Sequence, residues 1–242
     1  MELGSPARVR AACGDDDLVM WAARGLRDGG RAWALGDAVV AAGPGAARGD
    51  RLAVWGGTAC AVELVRHALG EMGESFRPVG ERSLVRDVVA KVAGLEFGGA
   101  FSWMSLGVAP GPVEGVGWLS PGAEAEVAGL LAGSAPHSYA VPGMAGVRRW
   151  AGVRVGGELA AVAADAWSAP EVGLLAGVAT AARFRGRGLA ERVCRWVSAR
   201  LVEEYGRAAL MVDDDNASAL GVYGRIGYRR TLVAGARVSA AT

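Results

Sequence analysis

Glutamine is absent from this 242-residue chain, lysine occurs once (Lys91) and isoleucine once (Ile226). The 26 basic side chains are therefore arginine at every position but one. Alanine, glycine and valine are abundant too, the bias of a GC-rich coding sequence, so the arginine excess is not in itself a functional signal. Surplus charge of one sign is also lacking. The net charge is +1, whereas a chain that grips nucleic acid by its phosphates normally carries a basic surplus. Cys13, Cys60 and Cys194 are odd in number and far apart, which excludes a disulfide framework and the paired spacing of a zinc site; no metal is expected. The N-terminus lacks the basic start and apolar core of a secretory leader. A cytoplasmic chain with reduced, buried thiols follows, and the glycosylation pattern Asn216-Ala-Ser218 carries no weight. The uncharged run Val127–Val147 has the length of a membrane span, but Pro136, His137, Pro142 and several glycines interrupt it. It reads as a helix end and a loop, with no membrane partner.

What is present is ample apolar material, 52% of residues, enough for one large domain or two ordinary ones. Pro110-Gly-Pro112 marks the best boundary, giving residues 1–112 as a smaller α/β N-terminal domain and 113–242 as a second domain. In the first half, Asp15–Asp17 starts a helix through Arg27, and Arg31–Leu35, Ala38–Ala42 and Leu52–Trp55 are short strands. Thr58 caps a helix, Ser83–Val92 is another, and Ala100–Leu106 closes the half as a strand. In the second half, Val116–Leu119 is a strand, and Ser120-Pro121 caps and opens a helix to Leu131. Val147–Val155 and Glu158–Ala164 form a hairpin about Gly156-Gly157. Val172–Thr180 is a nearly continuous apolar strand, as burial on both faces requires. Leu189, Val193, Val197, Leu201 and Tyr205 make one helical stripe that ends at Gly206. Ala208–Val212 is the next strand, Asn216 caps a helix from Ala217 to Ile226, and closing strands follow to about Val238.

The chemistry concentrates between these last elements. Arg183-Phe-Arg-Gly186-Arg-Gly188-Leu-Ala190 joins an apolar strand to a helix. Glycines there let a ligand approach the backbone, and the helix start aims N–H groups and partial positive charge at one point, which suits a pyrophosphate. A dinucleotide fingerprint would need a small residue where Glu191 stands, and a Walker loop would need a lysine here.

The order of strand, Arg-Gly loop, helix, strand and Asn-capped helix resembles the GNAT superfamily of N-acetyltransferases. Arg183–Gly188 and Arg185–Ala190 both fit that family's acetyl-CoA signature. Asn216, Ala219, Tyr223 and Gly227-Tyr228 fit its second motif. The resemblance covers roughly residues 114–242. It implies an α/β (α+β) fold: a mixed, splayed sheet with helices on both faces, residues 1–112 being a degenerate second copy. It also implies acetyl-CoA as acyl donor, held by Val178, Ala179, Thr180, Arg185, Gly186, Arg187, Gly188, Leu189, Ala190 and Asn216. Tyr223 would then protonate the departing thiolate. The acceptor is a primary amine; the alternative is a non-catalytic acyl-CoA-binding module. Glu171, at the start of the central strand, is the first choice of catalytic base, with Asp165 and Glu158 as alternatives. His67 and His137 read as structural or solvated, though His137 could face the cleft. Trp150 or Trp167 could wall an acceptor pocket among otherwise core tryptophans.

Overall fold

The computed structural model describes residues 1–239. In the first half, helices α1 (Pro6–Ala12) and α2 (Asp17–Ala23) precede a hairpin of β1 (Arg31–Leu35) and β2 (Ala38–Gly43). Then come β3 (Arg51–Gly56), α3 (Thr58–Met72), β4 (Arg77–Glu81), α4 (Arg82–Lys91) and β5 (Leu95–Leu106). The second half opens with β6 (Val116–Trp118) and α5 (Glu124–Ser134), then a hairpin of β7 (Val147–Val155) and β8 (Glu158–Ala166). It continues through β9 (Gly173–Thr180), α6 (Leu189–Tyr205), β10 (Ala208–Val212), α7 (Ala217–Ile226) and β11 (Arg229–Val238).

All eleven strands join one mixed sheet in the order β1-β2-β3-β4-β11-β5-β10-β9-β8-β7-β6. The order has an internal symmetry. Each half runs as an antiparallel hairpin, a third antiparallel strand, a crossover helix to a parallel strand, another helix, and a last strand. The last strands are exchanged. β5 lies against β10, β11 lies against β4, and the two pair with each other from Arg229↔Ser105 to Val238↔Leu95. The sheet thus runs without a break past residue 112. The largest core does the same, holding Val9 and Trp21 together with Val197, Leu201 and Leu210. Trp21 Nε1 donates to the Trp167 carbonyl at 2.9 Å, and Arg207 pairs with Asp15 and Asp17 at 2.8 and 2.6 Å.

Local sequence explains most boundaries. Gly206 and Gly227 end α6 and α7 in the left-handed region, and the Asn216 carboxamide oxygen accepts from Ala219 N at 3.1 Å. Some expectations are corrected. Thr58 is the first residue of α3, Gly57 occupies the cap, and the threonine hydroxyl instead donates to Asp87. Ser120-Pro121 lies in a turn, and α5 begins at Glu124 without a side-chain cap. Helix α1, capped by Ser5, and strand β4 escaped the sequence reading. β4 reads Arg-Pro-Val-Gly-Glu, and proline and glycine look like loop residues. Gly80 is needed there because a Cβ would fall 2.4 Å from the Val54 carbonyl oxygen.

The feature that positions the site is the divergence of β9 from β10. These parallel neighbours pair only at Gly173↔Ala208 and Leu174↔Ala209, then separate. On its other side β9 carries a bulge. Ala176 faces Ala164 and Ala179 faces Val162, so Gly177 and Val178 oppose Ala163 alone. Gly177 sits at φ +63°, and a Cβ on it would fall 2.5 Å from Trp150 Cη2. Both conditions demand glycine. Gly177→Ala is therefore expected to lower the unfolding free energy by about 2–4 kcal/mol, combining left-handed backbone cost with overpacking. A urea midpoint within about 0.5 kcal/mol of wild type would show that neither condition constrains this strand.

Candidate functional site

Where β9 and β10 part, a cavity of about 710 Å³ opens in the sheet. Its walls include β9 from Leu174 to Val178, the end of β10 at Met211–Asp213, and Asn216, Ala219 and Tyr223 of the α7 region. Further walls come from the loop after α5 (His137, Tyr139), from Trp167, and from the first half and the exchanged strands, Arg51, Arg77, Phe101 and Gly235 among them. The cavity is thus completed by residues on both sides of the sequence boundary.

At the C-terminal end of β9 a short 3₁₀ turn, Ala182–Phe184, leads into the Arg-Gly loop. Gly186 and Gly188 lie at φ +75° and +71°, with open space where a Cβ would stand. Helix α6 starts at Leu189 with Gly188 as its cap and no side chain capping its first amides. The start of this 17-residue helix has no side-chain cap, which leaves amide donors for an anion, while Glu191 of the first turn is paired with Arg225 and Arg195. Two arginines of the loop are tied locally: Arg183 pairs with Glu158, and Arg185 donates to the carbonyls of Thr180 and Ser134. Arg187 lies over the Phe184 ring at 5.5 Å. Val178 faces the cavity, Ala179 and Thr180 carry β9 to the loop, and the buried Thr180 hydroxyl has no protein partner. Leu189 and Ala190 form the first turn of α6.

Tyr223 is 6% exposed, and burial pushes its phenol well above the ordinary tyrosine range, so it stays protonated. Its ring meets that of Tyr228 at 5.8 Å, centroid to centroid. Tyr228 is anchored by a 2.7 Å hydrogen bond shared with Ser198, whose hydroxyl donates to the Cys194 carbonyl. Tyr223 is thus a neutral donor at the cavity wall with a fixed ring. Asn216 also faces the cavity; its oxygen serves the helix cap, leaving the Nδ2 donors over.

The proposed carboxylate bases are not brought to this place. Glu171 precedes the closed end of the β9–β10 pair, opposite to the mouth, and Arg10 Nη2 donates to it at 2.6 Å. The sequence located it correctly at a strand start, but the strand opens at its other end. Asp165 is wholly buried on β8, where burial raises its pKa; it accepts from Ser168 Oγ at 2.5 Å, Tyr205 at 3.1 Å and Arg149 Nε at 3.2 Å. Glu158 is paired with Arg183. The titratable groups that do line the cavity are Asp213 and His137, together with Tyr139 and three arginines. His67 instead packs edge-on to Trp33. Of the two candidate tryptophans, Trp167 lines the cavity and Trp150 braces Gly177 from behind. Asp213 could have been suspected from its place just after a buried strand; Arg51 and Tyr139 could not, because only the strand exchange brings them here.

The first half holds a matching strand-helix junction without the opening. β3 and β4 pair at four positions, Arg51↔Arg77 to Val54↔Gly80. Only Gly57 separates β3 from α3, and a Cβ on it would fall 2.2 Å from Asp37 Oδ2. A carboxylate therefore lies where an anion would have to enter.

Among the described residues, no group of three or more His, Cys, Asp or Glu side chains is placed to hold a metal ion, and no helix is long and apolar enough to cross a membrane. Residues 151–237 match the family model described as FR47-like protein. No curated protein matches the chain. Among solved structures, a GNAT-family acetyltransferase from Novosphingobium aromaticivorans is 23% identical, with 93% of this chain and 98% of that one covered at a TM-score of 0.56. A GCN5-related N-acetyltransferase from Kribbella flavida is 20% identical over 88% and 90%, also at 0.56. A GNAT-family acetyltransferase from Colwellia psychrerythraea is 11% identical over 98% of each chain, at 0.53. The chain therefore has the fold of these GNAT-family acetyltransferases, and residues 151–237 are similar to the FR47-like family model.

Proposed function

We propose that this chain is a cytoplasmic N-acyltransferase that moves an acetyl group from acetyl-CoA directly to a primary amine. The observation that carries the reading is that one strand joins two features. β9 forms a wall of the cavity that Tyr223 also lines, and it leads through Gly186 and Gly188 to the uncapped start of α6. The bulged strand at Gly177–Thr180 offers backbone groups to a pantetheine amide arm, and the Asn216 Nδ2 donors face the same space. The thioester supplies an activated carbonyl carbon. The acceptor nitrogen bonds to that carbon, the C–S bond breaks with its electron pair leaving on sulfur, and the nitrogen gives up a proton. No metal or covalent enzyme intermediate is required.

The role of Tyr223 follows from its environment. A thiol has an ordinary pKa of about 8.5 and a phenol about 10, and burial moves Tyr223 further up. Complete proton transfer from the phenol to the thiolate is uphill, so Tyr223 acts as a hydrogen-bond donor to the growing negative charge. The sulfur's proton then derives, through solvent, from the acceptor amine, with Asp213 or His137 as the way station. In this reading residues 1–112 are a reduced second copy, a domain that has given up its own CoA site and supplies a wall to the other. A non-catalytic acyl-CoA-binding module is the second reading, favoured by the engagement of Glu171, Asp165 and Glu158 elsewhere.

CoA is expected to bind once per chain by calorimetry and to stabilise the fold by about 2.7 kcal/mol at a hundredfold excess over its dissociation constant. Gly188→Val should abolish this by straining a left-handed position beside the phosphates. Two CoA per chain would overturn the reduced-copy reading, and none would overturn the assignment of the loop.

Tyr223→Phe keeps the ring and its contact with Tyr228. The turnover number should fall by roughly 10²–10³, the usual cost of losing one donor to a developing anion, with CoA affinity unchanged. Wild-type turnover under chemistry-limited conditions would make the phenol structural. Thiol release with no amine, beside intact CoA binding, would favour the non-catalytic module.

A further inference from the structure

The acceptor end of the cavity contains a charge that the protein leaves unanswered. Arg51, at the start of β3, is 9% exposed, yet its three hydrogen bonds all go to neutral oxygens: Ala47 O at 2.7 Å, Tyr139 OH at 2.8 Å and Asp50 O at 3.2 Å. Burying a cation without a carboxylate is costly, and buried charges in proteins are normally paired. Burial accordingly weakens its hold on its proton, and the neighbouring charge of Arg77 weakens it further. A guanidinium has five N–H donors in one plane. Three are used, which leaves two for whatever enters the cavity.

This station is held by strained backbone. Ala47 and Arg48 both adopt left-handed φ, +50° and +63°, although neither is glycine, and the Ala47 carbonyl they present is shared by Arg51 and Tyr139. Trp167, also at positive φ (+55°), packs edge-on to Tyr139 at 5.5 Å and lines the same cavity. Three non-glycine residues in a costly conformation around one guanidinium indicate a position that the surrounding structure enforces. The nearby carboxylate does not neutralise it: Asp50 accepts from Gly45 N at 2.9 Å and Ser75 Oγ at 2.6 Å. Among the described cavity residues the acidic side chain is Asp213, against Arg51, Arg77 and Arg237, the last paired with Glu96 at 2.7 Å.

We propose that Arg51, set by Tyr139 and the Ala47 carbonyl, receives a carboxylate of the acceptor, so that the substrate is an amine that also carries a carboxylate. Both Nη2 hydrogens and one on Nη1 are used, so Nε–H or the second Nη1–H can meet a carboxylate oxygen in a charge-assisted hydrogen bond, and Trp167 and Phe101 line the same cavity. This inference rests on the acyl-transfer reading above for the amine, and on Arg51 alone for the anion.

The test uses matched acceptors that differ only in the anion: phenylalanine against phenylalaninamide, and 6-aminohexanoate against 6-aminohexanamide. With wild-type protein and acetyl-CoA, at least one acid should exceed its amide in kcat/KM by about 10- to 100-fold, the worth of a charge-assisted bond to a buried partner. Arg51→Met should bring that ratio to within about threefold of one, chiefly through KM, and Arg51→Lys should restore part of it. Calorimetry of CoA binding to each variant checks that its fold persists. Amides used as well as acids by wild-type protein would overturn the carboxylate station and leave acyl transfer intact. Turnover of no amine would instead count against acyl transfer. The station is then read by calorimetry of the same compounds on the CoA-loaded protein, where acids binding over amides supports it and equal or absent binding overturns it.

Discussion

The antiparallel pairing of β11 with β5 is the interaction on which the rest of the structure depends. It runs from Arg229↔Ser105 to Val238↔Leu95 and joins the last strand of each half to the body of the other. Without it, β11 and β5 would each present an open edge in the middle of the molecule, a liability that sheets avoid. With it, eleven strands form one surface, and helices α1 and α2 share a core with α6 and β10. The exchange also decides what faces the cavity. Phe101 and Gly235 reach it on the exchanged strands, and Arg51 and Arg77 reach it because β4 is held beside β11. Separate halves would leave the mouth between β9 and β10 without its far wall.

Within that frame, one bulge separates a sheet that opens from a sheet that stays closed. β9 and β10 have only two paired positions before they part, whereas β3 and β4 have four. β9 bends because Gly177 adopts a left-handed turn against Trp150, adding a residue opposite Ala163. β3 has no such residue and keeps its ladder. The parting costs hydrogen bonds, since the facing backbone groups lose their ladder partners, and such groups seek others. A bound chain of amides is chemically suited to that requirement, which is why the opening reads as a slot rather than as a defect.

The C-terminal elements were legible in the sequence because their signals are local. The apolar run before Thr180, the stripe from Leu189 to Tyr205, the Asn216 cap and the glycines 206 and 227 all act within a few residues, and the strands and helices fall on them. The glycine turn at Gly186 and Gly188 was legible for the same reason, whereas the burial of Tyr223 was not read from the sequence. What escaped depends on distance in the chain. β4 looks like a turn because Pro78 and Gly80 break a local pattern, yet Gly80 is there to admit the Val54 carbonyl. Glu171 was assigned by its strand, but which end of a strand opens is set by its neighbour. Arg51 and Tyr139, 88 residues apart, come together only through the shared sheet.

The two halves share one topology but differ at the junction of strand and helix. Each has a parallel strand pair with a crossover helix, so each has a helix start aimed at the end of a strand. In the second half, an eight-residue connection (181–188) with left-handed glycines and arginines separates strand from helix. Positive charge there adds to the helix dipole and favours an anion. In the first half the connection is Gly57 alone, and Asp37 stands against the start of α3. The carboxylate makes no capping hydrogen bond to that helix, but its charge occupies the position and repels any phosphate. The first half also carries a loop with left-handed φ at Ala47–Arg48 and a buried guanidinium that lines the cavity. Ordinary residues at left-handed φ cost about 1–2 kcal/mol each, so this loop is held by its surroundings. Its place beside Arg51 is accounted for if the first half now serves the acceptor side of the shared cavity.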